Sequence, residues 1–331
     1  MTTTRKARRR APVVPRRARS ARLRGELDAI ESTGGDGTVT VDGTPLKVSN
    51  LDKTYFPKRR NTKGDVLRFY DRVAPCILPL MKDRPLVLKR FPDGVEGASF
   101  FQQNAGETPE GVRVETVPAE SGDGKRIIGG DLTTLLYCAQ LGAIEVNPWH
   151  SRVQSLDYPD YTILDLDPGP RARFGTLIDI AIELKAYLDD AGMKAGIKTS
   201  GSRGMHIVIP LPPRTNEDAA RLVSHVFAER VAEAMPKYAT VVRSRNARSA
   251  HSVYVDYLQN VVGKSVACAF SIRARPDATV SMPVAWDEVT HKLDPADFTI
   301  DMPLNDLLER GAIWRKAMSA KNSLRGLTSS S

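Results

Sequence analysis

Two aspartates one residue apart carry the clearest chemical signal in this sequence. Asp165 and Asp167 end a run of strand-favouring residues, 161–167, and a Pro-Gly turn follows. Alternate side chains of a strand share a face, so the two carboxylates project together from one strand end. Carboxylate oxygens are the hard ligands that Mg²⁺ and Mn²⁺ prefer. An isolated Asp-x-Asp more often only ends a strand before a turn, so the metal interpretation requires a third carboxylate and a phosphate site elsewhere.

A third carboxylate lies in a later apolar strand. Asp256 stands between Val255 and Tyr257, where burying an unpaired charge is costly. Together with Asp165 and Asp167 it would form a two-metal site for in-line phosphoryl transfer. A metal-dependent nuclease would use the same three carboxylates, so the residues alone leave both reactions open.

A short polar turn between two predicted strands is a candidate phosphate cradle. Residues 200–204 read Ser-Gly-Ser-Arg-Gly, and His206 opens the following strand. Glycines such as Gly201 let backbone N–H groups approach an anion, and Arg203 and His206 add charge-assisted contacts. An ordinary hairpin with a core histidine fits the pattern equally well. Other cations available to hold phosphates are Lys89, Arg90, Arg248 and Arg273.

Hydrophobic periodicity predicts the elements that must position these side chains. Helices are predicted over 64–80, 132–141, 174–191 and 216–234, strands over 253–258 and 265–272, and a helical cap over 284–315. Phe100 and Phe101 follow one another on a predicted strand and therefore face opposite ways. One ring is expected in the core, and the other could present itself to a nucleic-acid base.

Composition and charge bound the class of protein. The chain has 331 residues, 41% of them hydrophobic, and a net charge of +9, with ten basic and no acidic residues in positions 1–25. Such a block predicts attraction to nucleic acid, although a solvated tail without a partner is the alternative. The three cysteines lie far apart without C-x-x-C, which indicates neither zinc nor disulfides. No apolar run is long enough for a membrane span, so a cytoplasmic protein is expected.

In chain order, several short motifs resemble the polymerase domain of bacterial ligase D, a branch of the archaeo-eukaryotic primase superfamily. The resemblance runs from about residue 46 to 315. The motifs are Phe-Phe at 100–101, Asp-Leu-Asp-Pro-Gly at 165–169, Lys-Thr-Ser-Gly-Ser-x-Gly-x-His at 198–206, Val-Asp-Tyr-x-Gln-Asn at 255–260 and Ser-x-Arg-Ala-Arg-Pro at 271–276.

This resemblance implies an α+β, primase-type fold, with mixed sheets flanked by helices around a central catalytic cleft. It also implies template-dependent nucleotide addition during end joining or short-gap repair, with ribonucleotides and manganese favoured. By position, Asp165, Asp167 and Asp256 match the metal ligands. The implied nucleotide-binding residues are Lys89, Arg90, Asn147, Ser200, Gly201, Arg203, His206, Arg248, Gln259 and Arg273. The implied DNA-binding residues are Asn50, Lys53 and Lys63, for a 5′-phosphate, and Phe100 and Phe101, for stacking.

Two positions depart from the family pattern. Asn147 stands where many relatives have His, with His150 the nearest histidine, and Arg203 replaces a common Lys. Arg203 keeps the positive charge. Because Asn147 replaces a histidine that would contact phosphate, the sequence decides neither that contact nor the assignment to the end-joining subtype.

Cofactors and partners follow from the resemblance. Two Mn²⁺ or Mg²⁺ ions and a nucleoside triphosphate are implied, as are gapped or broken DNA with a 5′-phosphate, a separate DNA ligase and an end-binding protein. A monomer at the nucleoid, with no membrane contact, is expected. No Lys-x-Asp-Gly for ligase adenylation occurs, which predicts a stand-alone polymerase. The predicted organisation is a disordered basic tail over 1–33 with a short helical patch over 23–30, a catalytic domain over 34–320 and a frayed end over 321–331.

Three other functions compete with gap filling. A primase that starts chains without a primer would use the same carboxylates and cradle. A nuclease would have no use for a triphosphate cradle. A non-catalytic end-binding scaffold would have no reason to tolerate three repelling carboxylates.

Overall fold

The computed structural model describes residues 16–118 and 122–325. Six α-helices lie in this part of the chain: α1 Arg16–Ser32, α2 Lys63–Met81, α3 Leu132–Gln140, α4 Phe174–Asp190, α5 Glu217–Ala234 and α6 Leu304–Met318. None of these helices is both long and apolar enough to cross a membrane.

Fifteen strands are formed by the same described residues. They are β1 Gly37–Val41, β2 Thr44–Val48, β3 Thr54–Phe56, β4 Asn61–Thr62, β5 Leu86–Arg90, β6 Phe100–Gln102, β7 Val114–Val117, β8 Gly124–Ile127, β9 Ala143–Pro148, β10 Tyr161–Pro168, β11 Gly196–Thr199, β12 Met205–Pro210, β13 Ala239–Thr240, β14 Val253–Asp256 and β15 Pro283–Val284. The helix and strand content agrees with the predicted α+β class.

A six-stranded sheet forms one half of the molecule. Its strand order is β13-β14-β10-β12-β11-β15, and all neighbours are antiparallel except β13 and β14. Leu164 and Leu166 of β10 are fully buried, as the alternation of the Asp-x-Asp strand predicts. Helix α5 packs on β10 and buries Phe227. The sheet therefore holds the Asp-x-Asp strand at its centre.

A three-stranded sheet of order β6-β5-β9 forms the other half and packs with α2 and α3. Helix α2 begins at a capping box in which Thr62 and Asp65 satisfy each other's backbone N–H groups. The Tyr70 hydroxyl of α2 donates to the Ile144 carbonyl of β9. One hydrophobic core extends through both halves.

The N-terminal prediction needs correction. Residues 16–32 were expected within a disordered tail with only a short helical patch over 23–30, yet the whole segment forms α1, and Leu23 and Leu27 are buried. The Glu26 carboxylate also accepts a hydrogen bond from Thr40 N at 2.7 Å, which ties α1 to β1. Two leucines four residues apart are enough to dock one face of a helix. The expectation for residues 1–15 lies outside the described residues.

The opposite end is also anchored further than expected. Asn322 Nδ2 donates to the carbonyls of Lys194 and Pro210, both at 2.8 Å. Residues 326–331 lie outside the described part of the chain. The folded unit therefore includes residues on both sides of the predicted 34–320 boundary.

Two predicted elements are wrong. Ser265–Ile272 is not a strand, because Phe270 takes a left-handed backbone conformation at φ 69° and only single bridges form at its ends. This segment instead joins the two sheets: Cys268 N donates to Val146 O at 2.9 Å. Within the predicted helical cap, regular α-helix begins only at Leu304, because residues 284–303 contain the end of β15 and two three-residue 3₁₀ turns joined by irregular segments.

Candidate active site

Four ionisable residues lie side by side across the six-stranded sheet. Asp256 pairs with Asp165, Asp165 with His206, and His206 with Lys198, on β14, β10, β12 and β11 respectively. Directly opposed residues of antiparallel strands project to the same face. We call this line of side chains, Asp256-Asp165-His206-Lys198, the polar row. Strand register, rather than sequence proximity, assembles it.

Hydrogen bonds and close polar contacts link the polar row. His206 Nε2 lies 3.3 Å from Asp165 Oδ1, and His206 Nδ1 lies 2.6 Å from Lys198 Nζ. Asp256 at the other end accepts from Leu258 N and from Gln259 Nε2, both at 2.8 Å. Burial, followed by the charge of Lys198, holds the pKa of His206 well below its usual range. His206 is therefore neutral at neutral pH.

The central carboxylates carry unfavourable charge in this site. Burial, reinforced by repulsion from Asp256, raises the pKa of Asp165 to about 7. Desolvation, with repulsion from Asp165 and Asp256, likewise raises the pKa of Asp167 to about 7. Asp165 has only 13% of its side chain exposed, whereas Asp167 is exposed to solvent. Solvent screens the pKa shift of Asp167 more strongly, so the cost of carrying a negative charge is greatest at Asp165.

A cleft of about 490 Å³ opens in front of Asp165 and Asp167. Residues of both halves of the molecule line it, with Lys89 and Asn147 from the smaller sheet. Seven of the predicted nucleotide-binding residues lie along the cleft: Lys89, Asn147, Ser200, Arg203, His206, Gln259 and Arg273. The structure therefore brings most of this set together beside the carboxylates.

The 200–204 turn is ordered by its own hydrogen bonds. Ser200 Oγ accepts from the backbone N–H groups of Ser202 at 3.1 Å and Gly204 at 3.0 Å. These two N–H groups are thus already satisfied, which differs from the expectation that the backbone of this turn would hold an anion. Cationic side chains supply the positive charge instead: Arg273 donates to Ser200 O, and Arg203 to Gly169 O at 2.8 Å.

Three predicted nucleotide-binding residues do not line this cleft. Arg90 donates to Leu141 O at 2.7 Å and to Gln102 Oε1 at 3.0 Å. Gly201 has φ +67°, and an added Cβ would lie 2.6 Å from Arg273 Cγ, so its role is to shape the turn. Arg248 stacks on the Tyr254 ring at 3.4 Å and lines an adjoining pocket of about 480 Å³.

Asn147 faces the cleft, but His150 does not replace the missing histidine. Asn147 is partly exposed on β9 and lines the cleft. His150 is buried, with its ring 5.1 Å from that of Tyr161. Burial, with the charge of Arg84, lowers the pKa of His150 to about 3. The cleft therefore has an amide at this position and no second imidazole to compensate.

The two predicted stacking residues are exposed. Phe100 and Phe101 of β6 have 47% and 66% of their surfaces accessible, although one was expected in the core. Phe101 also lines the cleft. Lys89, its cross-strand neighbour, places Nζ 5.7 Å from the Phe101 ring centroid. A large exposed aromatic ring next to a cation is a surface on which a base could stack.

Asn50, Lys53 and Lys63 form a second small cluster. Lys53 N donates to Asn50 O at 3.1 Å, and Lys63 N to Lys53 O at 2.8 Å. Lys63 is buried, its Nζ donates to Ser49 O at 2.8 Å, and burial together with the charge of Lys53 lowers its pKa to about 8. Lys53 is the more accessible cation and pairs with Asp93. Lys53 is thus the residue best placed to meet a phosphate.

Two residues of the site escaped the candidate list drawn from the sequence. Glu145 lines the cleft, and its carboxylate lies 3.2 Å from Arg273 Nε. Lys198 ends the polar row and is almost fully buried. The available signal was a lysine inside a strand of otherwise buried residues, since such a charge requires partners.

The donor chemistry of the site fits divalent cations. Asp165, Asp167 and Asp256 offer hard oxygen ligands, and burial together with repulsion between the carboxylates raises the pKa of both Asp165 and Asp167, an effect that a bound cation would offset. Within residues 16–118 and 122–325, however, no three His, Cys, Asp or Glu side chains are arranged as an assembled metal centre. The three aspartates are therefore candidate metal ligands.

Paired carboxylates beside a cationic cleft, on a mixed α+β fold, define a phosphoryl-transfer type of site. Residues 62–314 match the family described as the LigD primase-polymerase domain. The chain belongs to this family, whose members are DNA-directed nucleotidyltransferases. The resemblance read from the ordered motifs is confirmed.

Known proteins agree with this assignment. The chain is 32% identical over 268 residues to the bifunctional non-homologous end joining protein LigD of Bacillus subtilis, which covers 80% of this chain and 43% of that protein. It is 31% identical over 246 residues to the multifunctional LigD of Pseudomonas aeruginosa, covering 74% of this chain and 29% of that one. The chain thus spans less than half the length of these relatives.

A solved structure supports the fold directly. The polymerase domain of Mycobacterium tuberculosis ligase D, determined in complex with DNA, superposes with a TM-score of 0.75 at 28% identity. The match covers 84% of this chain and 99% of that domain. The predicted primase-type fold is confirmed.

Proposed function

We propose that this protein is a template-dependent nucleotidyltransferase that fills short gaps or extends broken DNA ends during repair, including end joining. The observation that carries the proposal is the convergence of Asp165 and Asp167 with Lys89, Arg203 and Arg273 on one cleft. A triphosphate needs the cations, and bound divalent cations would offset the burial and mutual repulsion that raise the pKa of both Asp165 and Asp167. A nuclease would need only the carboxylates.

Asp165, Asp167 and Asp256 would hold two Mn²⁺ or Mg²⁺ ions. Such ions, when bound, activate an attacking 3′-hydroxyl and neutralise a leaving pyrophosphate. The chain's own cationic side chains, Lys89, Arg203 and Arg273, would bind and orient the triphosphate. Neutral His206 would donate a hydrogen bond rather than add charge, because its pKa lies far below neutrality.

Nucleic acid would enter over the exposed aromatics of β6. Phe101 lies at the cleft and would stack on a base there, while Phe100, beside Arg90, would contact the next base or the backbone. Lys53, supported by Asn50 and the buried Lys63, would bind the 5′-phosphate beyond a gap. The DNA complex of the tuberculosis polymerase domain, a relative of the same fold, supports DNA as the substrate.

Ribonucleotide preference, a separate DNA ligase and an end-binding protein complete the proposal. At the nucleoid, the ligase would seal the product of the polymerase, and the end-binding protein would bind the DNA ends. All three are proposed from the resemblance of the motifs, and the names of the relatives, which are non-homologous end joining proteins, support the end-joining role alone.

Primer extension on a gap of one to three nucleotides tests the proposed function. The assay compares downstream strands with and without a 5′-phosphate, each with ribo- or deoxyribonucleotides and manganese. We expect template-directed extension that the phosphate stimulates. Dinucleotide synthesis on single-stranded template without extension would assign a primase instead, and strand cleavage would assign a nuclease.

Lys53→Ala should remove most of the stimulation by the 5′-phosphate and leave unphosphorylated gaps unaffected. Lys53 is the accessible cation of the Asn50 cluster, and a charge-assisted phosphate contact is worth roughly 1.5–3 kcal/mol. Lys47→Ala, an exposed lysine on β2, is the matched control. An equal loss on both kinds of gap would show that Lys53 acts on DNA binding in general.

A further inference from the structure

A second cavity, larger than the catalytic cleft, lies further along the same face of the six-stranded sheet. Its volume is about 870 Å³, which is within the usual range of small-molecule sites. Ile163 and Val208, cross-strand neighbours on β10 and β12, line it, and strand alternation places Ile163 on the same face as Asp165. The end of α6 and the residues after it also line this space. We call it the α6 cavity.

One segment of chain separates the α6 cavity from the catalytic cleft. Val266 and Ala267 line both spaces. The segment is held in place by hydrogen bonds, since Cys268 N donates to Val146 O at 2.9 Å and Ala267 O accepts from Lys198 Nζ at 2.9 Å. The α6 cavity is therefore a separate compartment that shares a wall with the catalytic cleft.

The lining of the α6 cavity is mainly apolar and contains aromatic rings. The described residues contribute Tyr158, Tyr161 and Trp314. Trp314 is 5% exposed and Tyr158 is 41% exposed, so aromatic surface extends from the interior to the solvent. A flat apolar group buries a large area against such rings. The lining therefore suits a ligand with an aromatic body.

Positive charge is in excess around these apolar walls. The described lining residues include four arginines, Arg84, Arg152, Arg214 and Arg315, and one carboxylate, Asp160. A guanidinium group stays charged at any physiological pH and presents several N–H donors to an anion. The charge of the cavity therefore favours an anionic ligand.

The single carboxylate does not neutralise these arginines. Arg84 pairs with Asp160, and Arg152 Nε donates to the same carboxylate at 2.8 Å. Arg84 is 3% exposed, yet its Nε has no hydrogen-bond partner within residues 16–118 and 122–325. The exposed guanidinium groups of Arg214 and Arg315 have no hydrogen bond or ion pair in the same part of the chain. These two groups are available to bind an anion.

We propose that the α6 cavity is a second ligand-binding site, for a small aromatic compound that carries a carboxylate, sulfonate or phosphate group. The aromatic body packs against Tyr161 and Trp314, and the anionic group pairs with Arg214 and Arg315. The apolar lining disfavours free inorganic anions, and the arginines disfavour uncharged aromatic compounds. This site does not depend on the proposed nucleotidyl transfer, because the three aspartates do not line the α6 cavity.

Anilinonaphthalene sulfonate, an aromatic sulfonate, is the probe for the unaltered protein. Fluorescence titration compares it with phenylnaphthylamine, which has the same rings without the sulfonate, and sodium sulfate is added as a competitor that has the anion alone. We expect the sulfonate to bind at a single site, and phenylnaphthylamine and sulfate to bind at least about tenfold more weakly. Absence of sulfonate binding, or equal binding of phenylnaphthylamine, would overturn the proposal.

Matched variants locate the bound probe. Arg315→Gln removes a guanidinium of the α6 cavity and should weaken binding of the sulfonate about tenfold. Lys316 follows it on the same turn, is exposed and does not line the cavity, so Lys316→Gln should leave binding unchanged. Lys89→Gln, in the catalytic cleft, should also leave it unchanged. Weaker binding in Lys89→Gln but not in Arg315→Gln would assign the probe to the cleft and refute the proposal.

Filling the α6 cavity tests the aromatic part of the proposal. Ala320 lines the cavity, whereas Ala312 is exposed on α6 and does not. We expect Ala320→Trp to weaken binding of the sulfonate at least about tenfold, and Ala312→Trp to retain it. Unchanged binding in Ala320→Trp would contradict the proposal. Circular dichroism checks folding, and should Ala320→Trp fail to fold, the pair Arg315→Gln and Lys316→Gln still decides the claim.

Discussion

At the residue scale, Asp165 is the point where the fold tolerates the most unfavourable charge. Its carboxylate is largely buried, faces Asp256 across the strand pair, and has a pKa raised to about 7. His206 is neutral and offers no compensating charge. Lys198 is the nearest cation of the row but lies behind His206. A protein keeps such a conflict where function needs it.

The raised pKa of Asp165 predicts how this residue makes the stability of the metal-free protein depend on pH. Asp titrates near pH 4 in an unfolded chain, whereas Asp165 titrates near 7 in the fold. The folded state then binds this proton more tightly than the unfolded chain, so the contribution of Asp165 to the free energy of unfolding is fully present below about pH 4 and is lost as pH rises through about 7. Asp165→Asn should remove this contribution and raise the Tm at pH 8 by roughly 2–5 °C in thermal scans with EDTA.

Stabilisation by Mn²⁺ should require the Asp165 carboxylate. Adding it at pH 8 should raise the Tm of the unaltered protein and have much less effect on Asp165→Asn, because a ligand that binds only the folded state stabilises it. Asp190→Asn, an exposed carboxylate at the end of α4, controls for general charge effects. Equal metal responses in all three proteins would argue against a metal site at Asp165.

Some residues of the site can be predicted from the sequence and others cannot. Asp165 and Asp167 could be found because they are two apart on one strand, and Asp256 because it interrupts an apolar one. Lys198 and Glu145 could not be ranked, because their roles depend on which strands are neighbours and in which register. Register is set by the whole sheet, and no local pattern states it.

At the scale of elements, the 200–204 turn positions much of the cleft. Gly201 has φ +67°, and an added Cβ would lie 2.6 Å from Arg273 Cγ and 2.7 Å from Ser281 N. Ser281 also holds Lys198. A small shift of this turn would therefore disturb both the cationic lining and the polar row.

Gly201→Ala should lower stability and raise the nucleotide KM together. Gly192→Ala is the matched control, because Gly192 has a similar φ of +64° but nothing within 4 Å of the added Cβ. Both variants strain the backbone by about 1 kcal/mol, and the excess in Gly201→Ala, measured by denaturant unfolding, reports the clash. An equal loss in both variants would show that the turn accommodates the methyl group.

The predictability of elements varies for physical reasons. The ends of helices α2 to α5 were all predicted within one residue, because the buried faces of these helices repeat at helical spacing. Ser265–Ile272 failed because an apolar run that crosses between two sheets resembles a strand in sequence. Its conformation is set by backbone hydrogen bonds to Val146, far away in the sequence, and to Ser281, which override local propensity.

At the scale of the whole molecule, we expect different roles for residues 1–15 and residues 16–32 of the basic N-terminus. Residues 1–15 contain five basic side chains, Arg5, Lys6, Arg8, Arg9 and Arg10. Residues 16–32 form α1, whose Leu27 is fully buried in the common core. The first part should contribute to DNA affinity, and the second to folding.

Removing residues 1–15 should weaken DNA binding and reduce the salt dependence of its affinity, with a log–log slope smaller by up to about 4, and leave the Tm unchanged. Leu27→Ala should do the reverse: destabilise by roughly 2–4 kcal/mol and leave the salt slope unchanged. Binding titrations at several salt concentrations and denaturant unfolding measure the two. A Tm loss on removing 1–15 would contradict this division.

The most direct measurement of the central claim is nucleotide incorporation by isosteric variants of the three aspartates on a gapped, 5′-phosphorylated DNA. Asp165→Asn, Asp167→Asn and Asp256→Asn keep the shape of each side chain and remove its charge, with Asp190→Asn as control. We expect incorporation to fall by at least about 10³-fold in the three variants, with folding and DNA affinity retained, and to persist in the control. Substantial incorporation by the Asp165 or Asp167 variant, or loss of incorporation only together with folding, would contradict the assignment of this cleft as the site of nucleotidyl transfer.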